Sequence, residues 1–441
     1  MNYCPSRGKL LLRNRLVIFI FLCFVSLCVA AQDSFALRSK DLLQHENIGI
    51  KDFYADSLFK KTRRLTSKWM DGVRNYYSEK DRNVFILPLV SWNDYDKFHQ
   101  GVLLFSNPVA EKKLNYTFFP SWSFFSSTFN FSGQASYCFG DVQKWGTVKP
   151  IFGFRHYSYN HVMKIKPKFM SLHPEVEFHF GYKDSIRSGI RINFKYHHVF
   201  QEHLKWNSLS NRYELKNREY NMFQMQTETH TLRFADENSQ RFNIEMNRTM
   251  GKLSLTEEHV FKMKNPEKGL YFRLFAGAFI YSQLPSVIDY RFRLSGYSGR
   301  DNYLFDLPFL ARSETEYNAL SGQMYPFDGY FKTPTPLGQT WDWLVALNMK
   351  IDFPGRIPLQ FYIDAGTYSD AKVTVPSSTG LPWNAGLVIK IKKDIAEIYI
   401  PLFMSNDIKD IYELNNIGFI QRITWMVRFD KLSLSEILKK K

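Results

Sequence analysis

A strict alternation of residue character over residues 343–353 constrains the fold of this chain more than any other feature. Every second residue there is large and apolar: Trp343, Val345, Leu347, Met349, Ile351 and Phe353. Successive side chains of a strand point to opposite faces, so the pattern predicts a strand with one apolar and one polar face. At a tilt near 40°, its terminal aromatic residues would lie roughly 25 Å apart along a membrane normal, the height of the lipid-facing band of an outer-membrane barrel.

The N-terminus independently indicates export. Four basic residues precede an uncharged stretch at 16–29: Arg7, Lys9, Arg13 and Arg15. The stretch ends in the small residues Ala30 and Ala31. This layout is that of a secretory signal peptide, so we expect residues 1–31 to be removed by cleavage near Ala31. Only Cys138 remains after that cleavage, and no intrachain disulfide is expected.

The same alternation recurs along the rest of the chain. Strands are predicted near residues 84–90, 100–106, 113–125, 128–140, 147–159, 162–170, 175–183, 188–200, 220–234, 240–250, 254–264, 269–294, 341–353, 358–366, 383–392, 396–404 and 418–429. No stretch beyond the signal approaches ~20 consecutive apolar residues, so helical membrane spans are not expected. The prediction is an all-β fold, a transmembrane antiparallel β-barrel of about 16 strands over residues 83–429.

Connection lengths in the last third predict the orientation. The turn at 354–355 and the link at 393–395 are short, whereas the links at 367–381 and 405–417 are long. Bacterial barrels have short periplasmic turns and longer outer loops, which places residues 296–340 on the outer side. This longest loop is the predicted functional segment. Residues 430–441 would then form a periplasmic C-terminal tail.

Residues 32–82 separate the signal from the first predicted strand. An amphipathic helix is predicted from apolar residues at nearly helical spacing: Leu58, Leu65, Trp69, Val73 and Tyr76. Two alternatives remain for this segment, a plug at the barrel mouth or a loosely ordered periplasmic lead-in.

The chain is basic, with a formal net charge of +16. Its charges alternate with Phe and Ile on predicted strands, so we interpret them as contacts to anionic lipid head groups and as inner-wall charge, and expect no nucleic-acid partner. The predicted lumen-facing wall comprises Arg191, Asn193, Lys195, Asn348, Lys350, Asp352, Lys390, Arg422 and Arg428. These basic residues leave a passive or ligand-selective pore open as an alternative function.

No catalytic, metal or cofactor site is predicted. His197 and His198 are strand neighbours that point to opposite faces, so they cannot share an ion. The run from Gly296 to Gly299 lacks the final glycine of a serine nucleophile elbow, because Arg300 stands there. A barrel hydrolase is the least favoured alternative.

Residues 292–312 resemble the large inward loop of surface-antigen-type outer-membrane barrels. The resemblance extends to residues 88–96, 354–366 and 397–405, and the most similar variant is the barrel fused C-terminally to aminopeptidase-N-like metallopeptidases in some Gram-negative bacteria. The residues that carry the loop motif are Arg293, Ser295, Gly296, Tyr297, Gly299, Arg300 and Asp301. That family is similar in having sixteen strands with five after the large loop, and five strands are predicted here from residue 341 onward.

The resemblance implies a non-enzymatic barrel that handles protein or lipid, or anchors a partner at the surface, through its inward-folding outer loop. The family's loop arginine is replaced by Ser295, which leaves Arg293 or Arg300 as substitutes for a lock onto a wall acid. The expected partners are outer-membrane lipids, the barrel assembly machinery during insertion, and a protein partner such as a separate peptidase subunit, since no peptidase domain is present. The expected location is the cell outer membrane.

Overall fold

The computed structural model describes residues 84–428, apart from short gaps. The gaps are 94, 107–112, 141–145, 161–164, 182–186, 209, 234–235, 264, 266–267, 284–285, 287, 310–311, 313–321, 356, 370, 372–379 and 393–394. The predicted signal peptide (1–31), lead-in (32–82) and tail (430–441) lie outside the described residues. No helix in the described ranges is both long and apolar enough to cross a membrane.

The predicted all-β architecture is confirmed by a 16-stranded antiparallel sheet whose strand order follows the chain. Its strands are β1 (Phe85–Asn93), β2 (Lys97–Phe105), β3 (Leu114–Ser123), β4 (Thr128–Tyr137), β5 (Thr147–Ser158), β6 (Lys168–Gly181), β7 (Arg187–Asn207), β8 (Arg212–Arg233), β9 (Asp236–Met246), β10 (Met250–Lys262), β11 (Gly269–Ser282), β14 (Trp343–Asp352), β15 (Leu359–Tyr368), β16 (Trp383–Lys392), β17 (Ala396–Met404) and β18 (Thr424–Val427). Two further strands, β12 (Tyr297–Ser298) and β13 (Met324–Tyr325), form a separate ribbon between β11 and β14.

The two faces of β14 differ as the sequence predicts. Trp343 and Ile351 are 39% and 43% exposed, whereas Leu344 and Asn348 are fully buried. The register places Asn348 beside Arg273 of β11 on one side and Asp364 of β15 on the other, so polar residues form a row across the inner face. Five strands follow the long connection, β14 to β18, as predicted.

The inner face is packed with protein along the last five strands. Residues 288–341, which we call the inward segment, lie between β11 and β14, and those of them that the structure describes pack against this face. Its described residues contact strands as far apart in the sheet as β6 and β17. Because one segment touches the same face of distant strands, the sheet curls around it.

Strands predicted separately at 162–170 and 175–183 form the single strand β6. The register with β5 is continuous through this region, but the pairing with β7 passes from Leu172 directly to Glu175. Pro174 lies in that interruption and has no N–H to donate. The strand therefore tolerates a proline at a position where its backbone does not pair with β7.

Two other predicted strands are shorter than expected. The strand predicted over 269–294 ends at Ser282 in β11, and the one predicted over 418–429 is reduced to β18. A short helix, α2 (Phe419–Arg422), precedes β18, and helix α1 (Asn406–Leu414) occupies the link predicted as an outer loop. Ile408 and Tyr412 of α1 are buried, which explains why this connection is helical and packed.

Candidate functional site

The inward segment takes part in an apolar cluster inside the sheet. Phe292, Leu294, Phe331 and Leu337 pack in one apolar cluster with Leu344 and Ala346 of β14 and with two residues of α1. Burial of each large apolar side chain contributes about 2 kcal/mol. Within the segment, β12 pairs with β13, and bridges join Ser295 to Phe331 and Phe292 to Thr340. The segment is thus a folded element with its own hydrogen bonds.

A fully buried ion pair joins the inward segment to the wall. Lys332 Nζ lies 2.7 Å from Asp364 Oδ1, and both side chains are completely shielded from solvent. The backbone N–H of Lys332 donates to the other carboxylate oxygen at 2.8 Å, and Asn348 Nδ2 donates to Oδ1 at 2.9 Å. Burial lowers the pKa of the Lys332 ammonium to about 8, although the nearby Asp364 charge opposes that shift. Burying this pair is tolerable because both carboxylate oxygens accept hydrogen bonds, Oδ1 from two donors and Oδ2 from one.

Arg273 of β11 holds the backbone of the segment beside this pair. Its guanidinium donates to the carbonyl oxygens of Asp328 and Pro326, at 2.9 and 3.3 Å, and to Asn348 Oδ1 at 2.9 Å. Glu258 lies 3.5 Å from its Nε. The fork of an arginine can bind several carbonyls at once, so this wall residue fixes the position of the loop through its backbone.

The opposite wall is contacted by a different part of the inward segment. Asp306 forms a 2.9 Å ion pair with Lys195 of β7, and Phe305 stacks on Phe169 of β6 with ring centroids 4.1 Å apart. The Tyr303 hydroxyl donates to Glu245 of β9. Lys195 and the Glu245 carboxylate are both largely buried, which favours a tightly held charge pattern over a hydrated one.

The inward segment therefore crosses the space enclosed by the sheet. Lys332 and Tyr330 anchor it to β15 and β17, while Tyr303 and Asp306 anchor it to β7 and β9. Polar pairs shielded from water are specific because any misplacement leaves a buried group without a partner. The arrangement can fix a loop in one position across the interior.

The predicted loop motif lies at the start of the inward segment, where most of its residues stabilise local turns. Arg293 Nε is 2.9 Å from Asp301, and its NH2 is 2.6 Å from Asp289. The Asp301 carboxylate also accepts hydrogen bonds from the N–H and hydroxyl of Ser298. Arg293 thus pairs with acids of its own segment, and the wall ion pair is made by Lys332.

The remaining motif residues divide between packing and exposure. The Ser295 hydroxyl donates to the Thr335 carbonyl at 2.9 Å and accepts from the Thr335 N–H at 2.8 Å. A Cβ on Gly296 would lie 2.7 Å from Met324 Sδ, so that position requires a glycine-sized residue. Tyr297 packs edge-on against Tyr303. Gly299 is buried, whereas Arg300 is exposed.

Most predicted wall residues form cross-strand pairs on the inner face. Lys350 binds Glu397 at 2.9 Å, and Lys390 binds Asp352. On β7, Arg191 lies 3.5 Å from Glu228, and Asn193 Nδ2 donates to Glu175 at 2.6 Å. Asn348 and Lys195 contact the inward segment as described above. These cations lie beside carboxylates.

Arg422 was predicted on the wall of the last strand, and that placement is wrong. It lies at the end of helix α2, donates to the Ile417 carbonyl at 2.8 Å and stacks its guanidinium over the Tyr412 ring. Its neighbours Phe419 and Ile420 are exposed and pair with no strand in the described structure. Arg428 follows directly after β18 and continues the alternation of Thr424 and Met426.

The described residues contain no group of three or more His, Cys, Asp or Glu side chains that could hold a metal ion. His173 and His197 come nearest to each other on the inner wall, with ring centroids 6.1 Å apart. His198 points to the other face and bonds to Asn221. Cys138 is a half-buried free thiol.

Several anchoring residues were not singled out from the sequence. Asp364 lies on the polar side of an alternating strand and could have been found as an acid flanked by the apolar residues Ile363 and Ala365. Lys332, Asp306 and Tyr303 lie in irregular chain, where no periodicity indicates which side chains are buried. Their role depends on long-range packing and has no local sequence signal.

No family model matches the sequence, and no curated protein matches it. Among solved structures, the chain is similar to the crystal structure of BamA from Haemophilus ducreyi lacking POTRA domains 1–3. That match has 9% sequence identity and a TM-score of 0.42, and it covers 74% of this chain and 67% of that chain. The likeness concerns the arrangement of strands and says nothing about activity.

Proposed function

We propose that the protein is a non-enzymatic outer-membrane β-barrel of surface-antigen type whose inward segment occludes the lumen. Its role would be in protein or lipid handling, or in anchoring a partner at the cell surface. The apolar outer face of the strands supports a lipid environment, since residues such as Ile363 and Phe361 are exposed on β15 while Asp364 and Tyr362 are buried on its other side.

The observation that carries the proposal is the attachment of one segment to two opposite walls. The Lys332–Asp364 and Lys195–Asp306 pairs hold it at two separate points, at 2.7 and 2.9 Å. A loop that merely narrowed a channel would need only one attachment and would leave hydrated wall charges. Here the described part of the segment places apolar clusters and buried polar pairs in the interior.

The pairing of wall cations disfavours the alternative of a steadily conducting, anion-selective pore. Such pores present basic side chains to water, but Lys350 and Lys390 each contact a carboxylate. Arg191 is half-exposed and also lies near two carboxylates. The inner-wall charge therefore serves the packing of the interior more than the attraction of an anion.

Single-channel recording in planar bilayers tests the proposal. The intact protein is expected to be closed or to flicker, and a variant that lacks residues 300–335 is expected to conduct steadily, because the occluding segment is gone. Retained heat-modifiable mobility on gels would show that the deleted variant still folds. Steady conductance of the intact protein, unchanged by the deletion, would reject occlusion in favour of a pore.

The cellular role is tested with the same deletion. A deletion that leaves every transport and assembly phenotype unchanged would contradict a role of the inward segment in protein or lipid handling. Export through a cleaved signal peptide predicts that the mature protein from outer-membrane fractions begins at about Gln32, which N-terminal sequencing would check.

A further inference from the structure

Strands β7 and β8 extend well beyond their neighbours. They comprise 21 and 22 residues and pair with each other up to the Asn207–Arg212 pair at the hairpin end. Pairing of β7 with β6 stops at Gln201, and pairing of β8 with β9 stops at Phe223. The hairpin therefore projects past the sheet at the end from which the inward segment also leaves.

One side of this projection is a long strand edge. No strand of the described structure pairs with β8 on its β9 side over residues 212–222, which we call the β8 edge. At 3.4 Å per residue the edge is roughly 35 Å long. A strand edge presents a row of backbone donors and acceptors, so it is a template for another strand, and extended peptides bind to such edges in known recognition modes.

The outer face of the hairpin indicates where the lipid ends. Exposed Ile190, Phe194 and Tyr196 line the outward face of β7, and the polar pair of His198 and Asn221 follows. Beyond that pair the outward face is mixed, with Asn217 and Glu219 among Tyr213 and Leu215, and the hairpin has passed the ends of its neighbouring strands. On the proposed outer-membrane location, this places the β8 edge outside the cell. A long strand edge that is left open in water is an aggregation hazard, so an occupant is expected where no strand of the described residues pairs with it.

A cavity of about 800 Å³ lies at the inner end of the β8 edge. Its lining includes Met222 and Phe223 of β8, Met246 of β9, and Ile288 and Tyr290 at the start of the inward segment. The cavity is large enough for a bulky apolar side chain. It therefore offers an anchor for one end of a strand that pairs with the edge.

The chemistry of the two hairpin faces specifies the side chains of that strand. Arg212 and Lys216 project from the face that continues the inner wall, each within 4 Å of the single carboxylate of Glu214. Tyr213 and Leu215 project from the opposite face and are 41% and 42% exposed. A strand added to the edge would lay alternate side chains beside each set.

We propose that the β8 edge binds an extended segment of another polypeptide by strand addition. The segment alternates acidic side chains, beside Arg212 and Lys216, with apolar side chains, beside Tyr213 and Leu215. A bulky apolar residue at its inner end enters the cavity next to Met222. Backbone hydrogen bonds supply affinity, and the alternation supplies specificity.

A second copy of this chain fits the β8 edge poorly. Antiparallel self-pairing about the middle of the edge, at Asn217, would place Lys216 of one copy opposite Arg218 of the other. Like charges directly opposite each other in a sheet are destabilising. The charge of the edge therefore favours an acidic partner strand over homodimerisation.

Peptide binding to the purified full-length protein tests the proposal. The probe is a fluorescent peptide of about eight residues, the length of a typical strand, that alternates Glu with Val and ends in Phe. Two matched peptides carry N-methyl groups on one backbone edge or on the other. Strand addition uses one edge only, so methylation of that edge alone is expected to abolish binding; equal binding of both methylated peptides, or loss with both, would overturn the proposal.

Charge variants provide the second arm. Lys216→Glu is expected to weaken binding of the acidic peptide about tenfold, because it places like charges side by side. Lys409→Glu, at an exposed site on helix α1, is the matched control and should leave binding unchanged. An unchanged affinity in Lys216→Glu would overturn the proposed recognition. Peptide binding is measured independently of conductance, so the strand-addition proposal can fail while the proposed occluded barrel is retained.

Discussion

Lys332 illustrates at the residue scale how a charge can be buried in this protein. Its ammonium has one carboxylate partner, a carbonyl acceptor at Tyr330 3.0 Å away, and the Tyr330 ring 4.0 Å from its nitrogen. Removal of water strengthens each of these interactions, but it makes the loss of any one expensive. The pair therefore specifies one position of the inward segment more than it adds to overall stability.

Breaking this pair on one side should destabilise the protein strongly. Lys332→Met keeps an unbranched side chain over Tyr330 but leaves the Asp364 carboxylate buried without its counter-charge, at a cost of about 3 to 5 kcal/mol. Adding Asp364→Asn to that variant should recover much of the loss, because no buried charge remains. Urea unfolding in lipid vesicles would measure both. If the double variant were no more stable than Lys332→Met, the charge would not be the cause.

Asp328 makes the stability of the inward segment depend on pH. Burial raises the pKa of its carboxyl group to about 6, with opposing effects from Lys252 and Arg293. A pKa raised on folding means that the stabilising contribution is fully present below the unfolded value near 3.9 and is lost as pH rises through about 6. The backbone at Asp328 has a φ of 49°, which asparagine also tolerates.

Asp328→Asn should therefore flatten the pH profile. Relative to the variant, the native protein is expected to lose ~2 kcal/mol of unfolding free energy between pH 4 and 7. The measurement is urea unfolding of both proteins at several pH values, since the difference between them cancels all other titrating groups. Parallel profiles for the two proteins would contradict the raised pKa.

At the scale of elements, β15 shows that each residue on the inner face of a strand can be required by a different contact. Its inner face carries Tyr362, Asp364 and Gly366, and each contacts the inward segment differently. Gly366 is required for space: a Cβ there would lie 2.6 Å from Leu294 Cδ2 and 2.9 Å from the Val345 carbonyl oxygen. Leu294 is fully buried and has no room to retreat.

Gly366→Val should accordingly be destabilising by about 1 to 3 kcal/mol through overpacking. Ala365→Val places the same side chain on the outer face of the same strand, where lipid can accommodate it, and should be nearly neutral. Comparing urea midpoints of the two variants isolates the inner contact from strand propensity. Equal midpoints would mean that Leu294 does not press on β15.

Strand prediction from the sequence succeeded where one face is apolar and exposed. The bounds of β16 and β17 were predicted to the residue, because alternation there reflects a single membrane boundary. Residues 288–294 carry the same alternation but lie inside the sheet, so the predicted strand ran past Ser282. The two-residue period of apolar side chains alone cannot distinguish a side chain that faces lipid from one that faces a packed interior.

Helix α1 was also missed, although its sequence carried a signal. Ile408, Ile411 and Tyr412 have helical spacing, and two of them are buried against the inward segment. The link at 405–417 was predicted as an outer loop because it is long, and long connections are typical of the outer side of a barrel. The candidate site was predicted only in part, because Lys332 and Asp306 pair with residues of strands that are far away in the sequence.

At the scale of the whole molecule, the inward segment serves as the core that a hollow barrel would lack. Its apolar clusters link it to β14 and α1 on one side and to β6 and β7 on the other. A segment held at two walls can be released only when both attachments open. This arrangement predicts cooperativity between anchors that do not touch each other.

A pair of anchor variants tests that cooperativity. Lys332→Met and Lys195→Met should each leave the lumen largely closed, because the other attachment still holds the segment. The double variant should conduct steadily in planar bilayers, at a level near that of the variant without residues 300–335. Independent distant sites would have additive effects on the free energy of lumen opening. A coupling energy of about 1 kcal/mol or more between the two substitutions is therefore the expected sign of a shared element. Lys409→Met is the charge-matched control, and full opening by either single variant would show that one wall alone holds the segment.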